Sequence, residues 1–247
     1  MAALAAQDEE LAGLLTGCSD DDWHRPSPCE GWDVADVVLH VAQTNELAIA
    51  SIEGDFPAMA ERLAGDEARP GNVDDAAGVM VEQERGATPG EIFDRWHTTA
   101  GRFLELADAT DLSRRVTWVA GELSARTLIT TRLSETWIHT NDVADALGVP
   151  LAPTERQRHI ARLAWRTLPY AFTRSGKELT GPVAFDLRGP SGDAWVFTPD
   201  EPALTTVTGE GAELCLVAAR RLEPSATSLR AEGPDAADVL ALVRTYA

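Results

Sequence analysis

The sequence predicts an all-α N-terminal domain over residues 1–152, followed by a small α+β domain over residues 153–247. Three observations carry that expectation. The first two thirds of the chain space their apolar residues at helical intervals, with breaks at Pro and Gly clusters and few strand signals. After Gly176 the pattern turns to short alternating runs between turn residues. A length of 247 residues with 44% hydrophobic content suffices for one large domain or two ordinary ones.

Helices are expected at about residues 5–17, 33–53, 74–86, 89–109, 124–147 and 153–174, broken at PSPCEGW (26–32), RPGN (69–72) and TPGE (88–91). The N-terminal MAALAAQDEELAGLL has no basic leader and interrupts its apolar residues with polar ones, so it reads as an amphipathic helix rather than a signal peptide. The second helix is well marked at its start: Asp33 can cap it, and Asp36 suits the positive end of its dipole. Its apolar stripe runs Val34, Val37, Val38, Val41 and Ala48. Residues 66–74 and 110–123 read as loops suited to mobility or to a pocket lid. Further on, PVAFDLRG and DAWVFTP read as strands joined by the turn GPSG, and ALTTVTG alternates as a third. A helix at about 209–221, a strand around TSLRAEG and a final helix from Pro234 to Tyr246 complete the α+β unit.

Charge narrows the functions. Twenty-one Lys plus Arg against 40 Asp plus Glu give a net charge of -19, which repels nucleic-acid phosphate and anionic lipid headgroups. No stretch approaches the ~20 apolar residues of a membrane span. A cytoplasmic protein with a small-molecule partner, and with neither nucleic acid nor membrane, is expected. Cys18, Cys29 and Cys215 are too scattered for a disulfide framework or a Cys-rich zinc site, so any metal needs nitrogen and oxygen ligands. The sequence contains no nucleophile elbow, phosphate-binding loop, dinucleotide fingerprint or H-E-x-x-H pair.

Among His24, His40, His97, His139 and His159, two lie inside long amphipathic helices beside unusual neighbours. Glu135 precedes His139 by four residues in SETWIHTNDVAD, so both project from one helix face and can chelate one ion. His40, in DVVLHVAQ, sits on or beside the apolar stripe and should point inward. Imidazole and carboxylate suit Zn²⁺, Ni²⁺ or Fe²⁺, and three protein ligands leave a position for water or substrate. Spacing alone leaves two other readings open, a solvated ion pair and a satisfied core histidine. Asp142 and Gln43, each three residues past a histidine, could orient the ligands. Arg126, Thr130 and Arg132 could line an anion-accepting pocket, Trp118, Trp137 and Trp165 read as core, and Cys18 and Cys29 are not expected to be nucleophiles.

The segments PSPCEGWDVADVVLHV and SETWIHTNDVADALG resemble the two signatures of the mycothiol-dependent maleylpyruvate isomerase family. The chain is most similar to an actinobacterial metal-binding branch without an assigned reaction. The resemblance implies a DinB-like four-helix bundle followed by a domain resembling sterol carrier proteins. It places His40, Glu135 and His139 on the metal ligands, with Zn²⁺ first and Ni²⁺ or Fe²⁺ as alternatives. In the family a C-terminal arginine contributes to activity, and Arg220 or Arg221 in LCLVAARRL is its counterpart here. The implied function is an enzyme that uses a metal-activated thiol, mycothiol, for isomerisation of, or transfer to, an electrophilic small molecule. Two alternatives stand beside it: a thiol-independent isomerase, cyclase or lyase acting on a specialised metabolite, and a non-catalytic small-molecule-binding or regulatory protein with a structural metal.

Overall fold

The computed structural model describes residues 1–65, 73–119 and 121–245. They form two compact units, Met1–Leu151 and Ala152–Ala247. The first contains α1 (Ala2–Thr16), α2 (Asp20–Trp23), α3 (Val34–Glu53), α4 (Phe56–Ala64), α5 (Val73–Glu84), α6 (Pro89–Asp108), β1 (Arg115–Trp118), β2 (Gly121–Ser124) and α7 (Ala125–Leu147). Four long helices, α1, α3, α6 and α7, pack on one another, with α3 touching both α6 and α7.

Local chemistry sets where these helices start and stop. Asp33 and Asp36 form a reciprocal capping box at the head of α3, and Thr88 and Glu91 do the same for α6. Ser124 caps α7 through the Thr127 amide. Gly54 and Gly148 end α3 and α7 in the left-handed conformation that favours glycine. The expected stripe of α3 is buried at Val34, Val37, Val38, Val41 and Ala48, and its valines join Leu11, Leu15, Ile92, Trp96 and Val143 in the core of this unit. Each such aliphatic side chain contributes ~1.5–3 kcal/mol of burial.

The structure corrects two segments. Residues 110–123, expected as a loop, contain the antiparallel β1–β2 hairpin, with Val116 paired to Leu123. Four-residue strands carry too short an alternation to stand out in sequence; here the buried Val116 and the Ser51 hydroxyl, which donates to the Thr117 carbonyl, hold the hairpin. Helix α4 was not expected, yet Phe56, Met59, Ala60 and Leu63 follow helical spacing and pack with Leu47 and Met80. Of the loop expected at 66–74, residues 66–72 lie outside the described residues.

The second unit contains α8 (Gln157–Arg174), β3 (Val183–Arg188), β4 (Ala194–Phe197), β5 (Thr205–Glu210), α9 (Gly211–Ala218), a 3-10 turn (Pro224–Ala226), β6 (Arg230–Glu232) and α10 (Ala236–Leu242). It is a mixed α+β arrangement with a four-stranded sheet in the order β4-β3-β5-β6. Strand β3 pairs antiparallel with β4 and parallel with β5, in which Phe185 faces Val207 across the ladder. The GPSG turn closes the β3–β4 hairpin, with Gly189 and Asp193 hydrogen-bonded and Gly192 in the left-handed region. Phe185, Leu187, Trp195, Phe197 and Val207 form the buried face. Helix α9 is shorter than expected because the chain turns at Ala219 and Arg220 takes a positive φ. The last helix stops at Leu242, and Tyr246 lies outside the described residues. Among the three tryptophans expected in the core, Trp137 is buried, Trp165 donates to the Val183 carbonyl and Trp118 packs on Phe56. Among the described residues no helix is long and apolar enough to cross a membrane.

Candidate metal centre

Helix α3 carries His40 into the interior at 6% exposure, and α7 answers with His139 at 7%. Glu135, one turn before His139, keeps 22% of its side-chain exposure. The sequence-predicted trio is brought together: His40 Nε2 lies 2.9 Å from Glu135 Oε1, and His139 Nε2 lies 3.4 Å from the same oxygen. Ligand atoms of the three residues all fall within 4.8 Å of one another. Two donors bound at ~2.05 Å to a tetrahedral ion stand about 3.3 Å apart, so the observed spacing matches what one ion requires. The imidazole rings meet edge to face with centroids 5.0 Å apart, and Trp32 covers His40 at 5.1 Å.

Behind His139 sits a second set of groups. His139 Nδ1 contacts Asp142 Oδ2 at 2.9 Å, and Cys29 Sγ donates to the same oxygen at 3.3 Å. With Nδ1 engaged by Asp142, Nε2 is the nitrogen that faces Glu135 Oε1, the one that a metal ligand would use. Asp142 therefore stands where it was expected to orient a ligand. Gln43 does not: its Nε2 donates to the Met80 carbonyl and to Glu84, both at 2.7 Å, tying α3 to α5. Among the described residues His40 Nδ1 is buried without a hydrogen-bond partner, so no carboxylate backs that ring as Asp142 backs His139, and Trp32 packs against it instead.

The electrostatics follow from this geometry. Burial alone would raise the Glu135 pKa, but hydrogen bonds from His139 and His40, and their charges, hold it well below the usual carboxylate range. Burial pulls His139 down, yet its hydrogen bonds with Asp142, Cys29 and Glu135 lift it well above the usual imidazole value. Burial lowers His40, opposed by its bond to Glu135. The cluster thus favours a proton on His139 and a charge on Glu135, and a cation held by these residues would compete with that proton.

Of the three residues expected to line an anion pocket, Arg126 is exposed and the Thr130 hydroxyl donates to the Arg126 carbonyl at 3.0 Å. Arg132 alone is interior, at 1% exposure, with Nε donating to Asn45 Oδ1 at 3.1 Å. Sequence reasoning missed Asn45, because nothing in its spacing marks it as the partner of a residue 87 positions away. It also missed Asp8, whose carboxyl burial pushes up to about 7 against the pull of Arg132. Arg220 and Arg221 stand in the second unit just after α9; Arg220 is exposed, and Arg221 Nη1 donates to the Ala219 carbonyl at 3.1 Å.

Comparison with known proteins follows the same lines. The family described as the mycothiol maleylpyruvate isomerase N-terminal domain matches residues 4–144. Two uncharacterized proteins of Mycobacterium tuberculosis, from strains CDC 1551 / Oshkosh and ATCC 25618 / H37Rv, are each 36% identical over 251 residues, covering 100% of this chain and 95% of theirs. The crystal structure of the mycothiol-dependent maleylpyruvate isomerase superposes with a TM-score of 0.62 at 18% identity, over 95% of this chain and 93% of that one. A histidine-to-alanine mutant of that enzyme gives 0.61 at 19%, with the same coverage. At these identities the structures establish a shared fold, whereas the sequence match spans the parts of α3 and α7 that carry His40, Glu135 and His139. The chain belongs to the mycothiol maleylpyruvate isomerase N-terminal domain family.

Proposed function

We propose that this protein is a metal-dependent enzyme in which His40, Glu135 and His139 hold one divalent ion, Zn²⁺ in the first instance, with Ni²⁺ or Fe²⁺ as alternatives. The observation that carries the reading is the convergence of His40 Nε2, Glu135 Oε1 and His139 Nε2, with Asp142 holding the far side of His139. Among the described residues this group comprises three residues, which leaves a coordination position for a reactant. A structural site normally closes with four protein ligands, so three favours catalysis over a static role. The groups on the Nδ1 side, Cys29 and Asp142, orient the ring rather than complete the coordination.

When bound, the ion supplies the acidity that keeps a thiol deprotonated at neutral pH. The resemblance to the mycothiol-dependent isomerase supports mycothiol as that thiol, acting in isomerisation of, or transfer to, an electrophilic small molecule. The chain's own residues then have distinct tasks. Asp142 keeps the His139 Nδ1 proton in place, and Trp32 shields His40 from solvent. Glu135, partly open to solvent, marks the entrance. Within this proposal the helical region is the DinB-like, metal-binding domain of residues 1–152. The α+β part, residues 153–247, is akin to sterol carrier proteins and supplies Arg220 or Arg221 to the reaction. The protein acts in the cytoplasm on a small molecule, without nucleic acid or membrane.

Elemental analysis of the purified protein beside His139→Ala tests the site: one ion per chain is expected in the first and a large loss in the second, and equal content refutes the ligand set. Titration of the metal-loaded protein with mycothiol tests the thiol. Absence of binding together with absence of thiol-dependent turnover would leave a thiol-independent isomerase, cyclase or lyase.

A further inference from the structure

Arg132 is among the largest fully buried side chains of the protein and carries a charge that the proposed chemistry does not use. One side of its guanidinium, Nε and Nη2, is a two-toothed fork suited to a carboxylate. The same fork on Arg85 is filled by Asp36, with Nε on Oδ1 and Nη2 on Oδ2, each at 2.9 Å. On Arg132 a neutral amide takes its place: Nε donates to Asn45 Oδ1, whereas among the described residues Nη2 has no hydrogen-bond partner, and neither has Asn45 Nδ2. Both orphan atoms are donors and one carries a buried positive charge, so the acceptor that suits them best is an oxyanion. Among the described residues no carboxylate lies within ion-pair distance of Arg132. Its attractive charges, Glu135 and Asp8, act from farther away.

The fork adjoins the metal cluster. Arg132, Glu135 and His139 share one stripe of α7 at helical spacing, and α3 meets that stripe with two rungs, Asn45 on Arg132 and His40 on Glu135. Neighbours at this spacing are about 5–6 Å apart, the reach of a small organic acid. Leaving a buried charge uncompensated is strongly unfavourable. An ion on Glu135 and the two histidines deepens the deficit, because it neutralises the carboxylate that Arg132 otherwise feels most.

We infer that Arg132 and Asn45 form the recognition site for a carboxylate, or a like oxyanion, on the small-molecule substrate, one helical turn from the His40–Glu135–His139 group. The inference rests on the proposed enzyme for the word substrate, but anion binding at the fork stands without it. Metal and anion bind cooperatively, since each offsets a charge that opposes the other.

The probe is succinate, compared with its uncharged diamide, titrated calorimetrically into the purified full chain before and after removal of metal by a chelator. Succinate is expected to bind and the diamide not to. Arg132→Gln weakens succinate by about tenfold to a hundredfold, the worth of a charged hydrogen bond, with metal content unchanged. Asn45→Asp closes the fork from within, as Asp36 does on Arg85. That variant should melt a few degrees higher and lose its response to succinate, and it decides the matter if Arg132→Gln does not fold. No succinate binding to the wild type, or equal binding by wild type and Asn45→Asp, overturns the assignment. If the wild type proves metal-free yet binds succinate through Arg132, the metal reading fails and the fork stands.

Discussion

Replacing Asp142 by Ala tests the proposed metal centre through a residue that stands behind one of its proposed ligands, His139. Asp142 is 1% exposed, and its Oδ2 accepts the His139 Nδ1 proton at 2.9 Å. Loss of a carboxylate behind a ligating imidazole costs about 10–100-fold in metal affinity, or ~1.4–2.7 kcal/mol. A second effect opposes it. Without an ion, the His139 pKa is lifted well above its ordinary value because the hydrogen bonds with Asp142, Cys29 and Glu135 outweigh burial. Below that pKa an entering ion must expel a proton, and apparent affinity falls about tenfold for each pH unit. Removing Asp142 lowers the His139 pKa and so weakens the competing proton. The sign is therefore fixed: Asp142→Ala loses the full amount at high pH and less at low pH. Competition for Zn²⁺ with a chromophoric chelator at about pH 8.5 and about pH 6 compares weaker with stronger proton competition at the imidazole. Asp142→Asn, which keeps an acceptor oxygen, should lose less than Ala at high pH. Unchanged affinity at high pH, or an equal loss at both, would refute the orientation of His139 described above.

Other expectations follow from the same geometry. Burial raises the Asp8 carboxyl from 3.8 to about 7, so the folded state favours its protonated form. The associated stability is complete below the unfolded value and is lost as pH rises through about 7. Asp8→Asn should remove that decline, gaining on the order of a few kcal/mol at about pH 8 and little at about pH 4, as read by urea unfolding; parallel pH profiles would contradict it. Gly211→Ala would put a methyl inside contact distance of the Trp195 ring, which is buried and held by Glu155 at 3.0 Å. Overpacking of this kind costs ~1–3 kcal/mol and should lower the Tm. Arg220→Ala and Arg221→Ala, made singly, should leave metal content intact while one of them lowers turnover about tenfold or more; if neither does, the role implied by the resemblance is lost.

The amino-acid sequence by itself determined whatever depends on neighbours within a turn or two. The capping box of Asp33 and Asp36, the Gly192 turn and the pairing of Glu135 with His139 on one face arise from backbone geometry that a few residues dictate. His40 was legible through its position on the stripe of α3 and through the family signature. The tertiary structure decided what spacing cannot. It set Asp142 against His139 and sent Gln43 to α5, although both sit three residues past a histidine. It buried Arg132 and left Arg126 in solvent on the same helix, and it placed Asn45 opposite the buried one. Hydrogen bonds between α3 and α7 join residues 95 and 87 positions apart. Which side chains meet there depends on how each helix is rotated about its axis, and that rotation is set by the packing of Val34, Val38, Val41, Trp96 and Val143 in the shared core rather than by either segment alone.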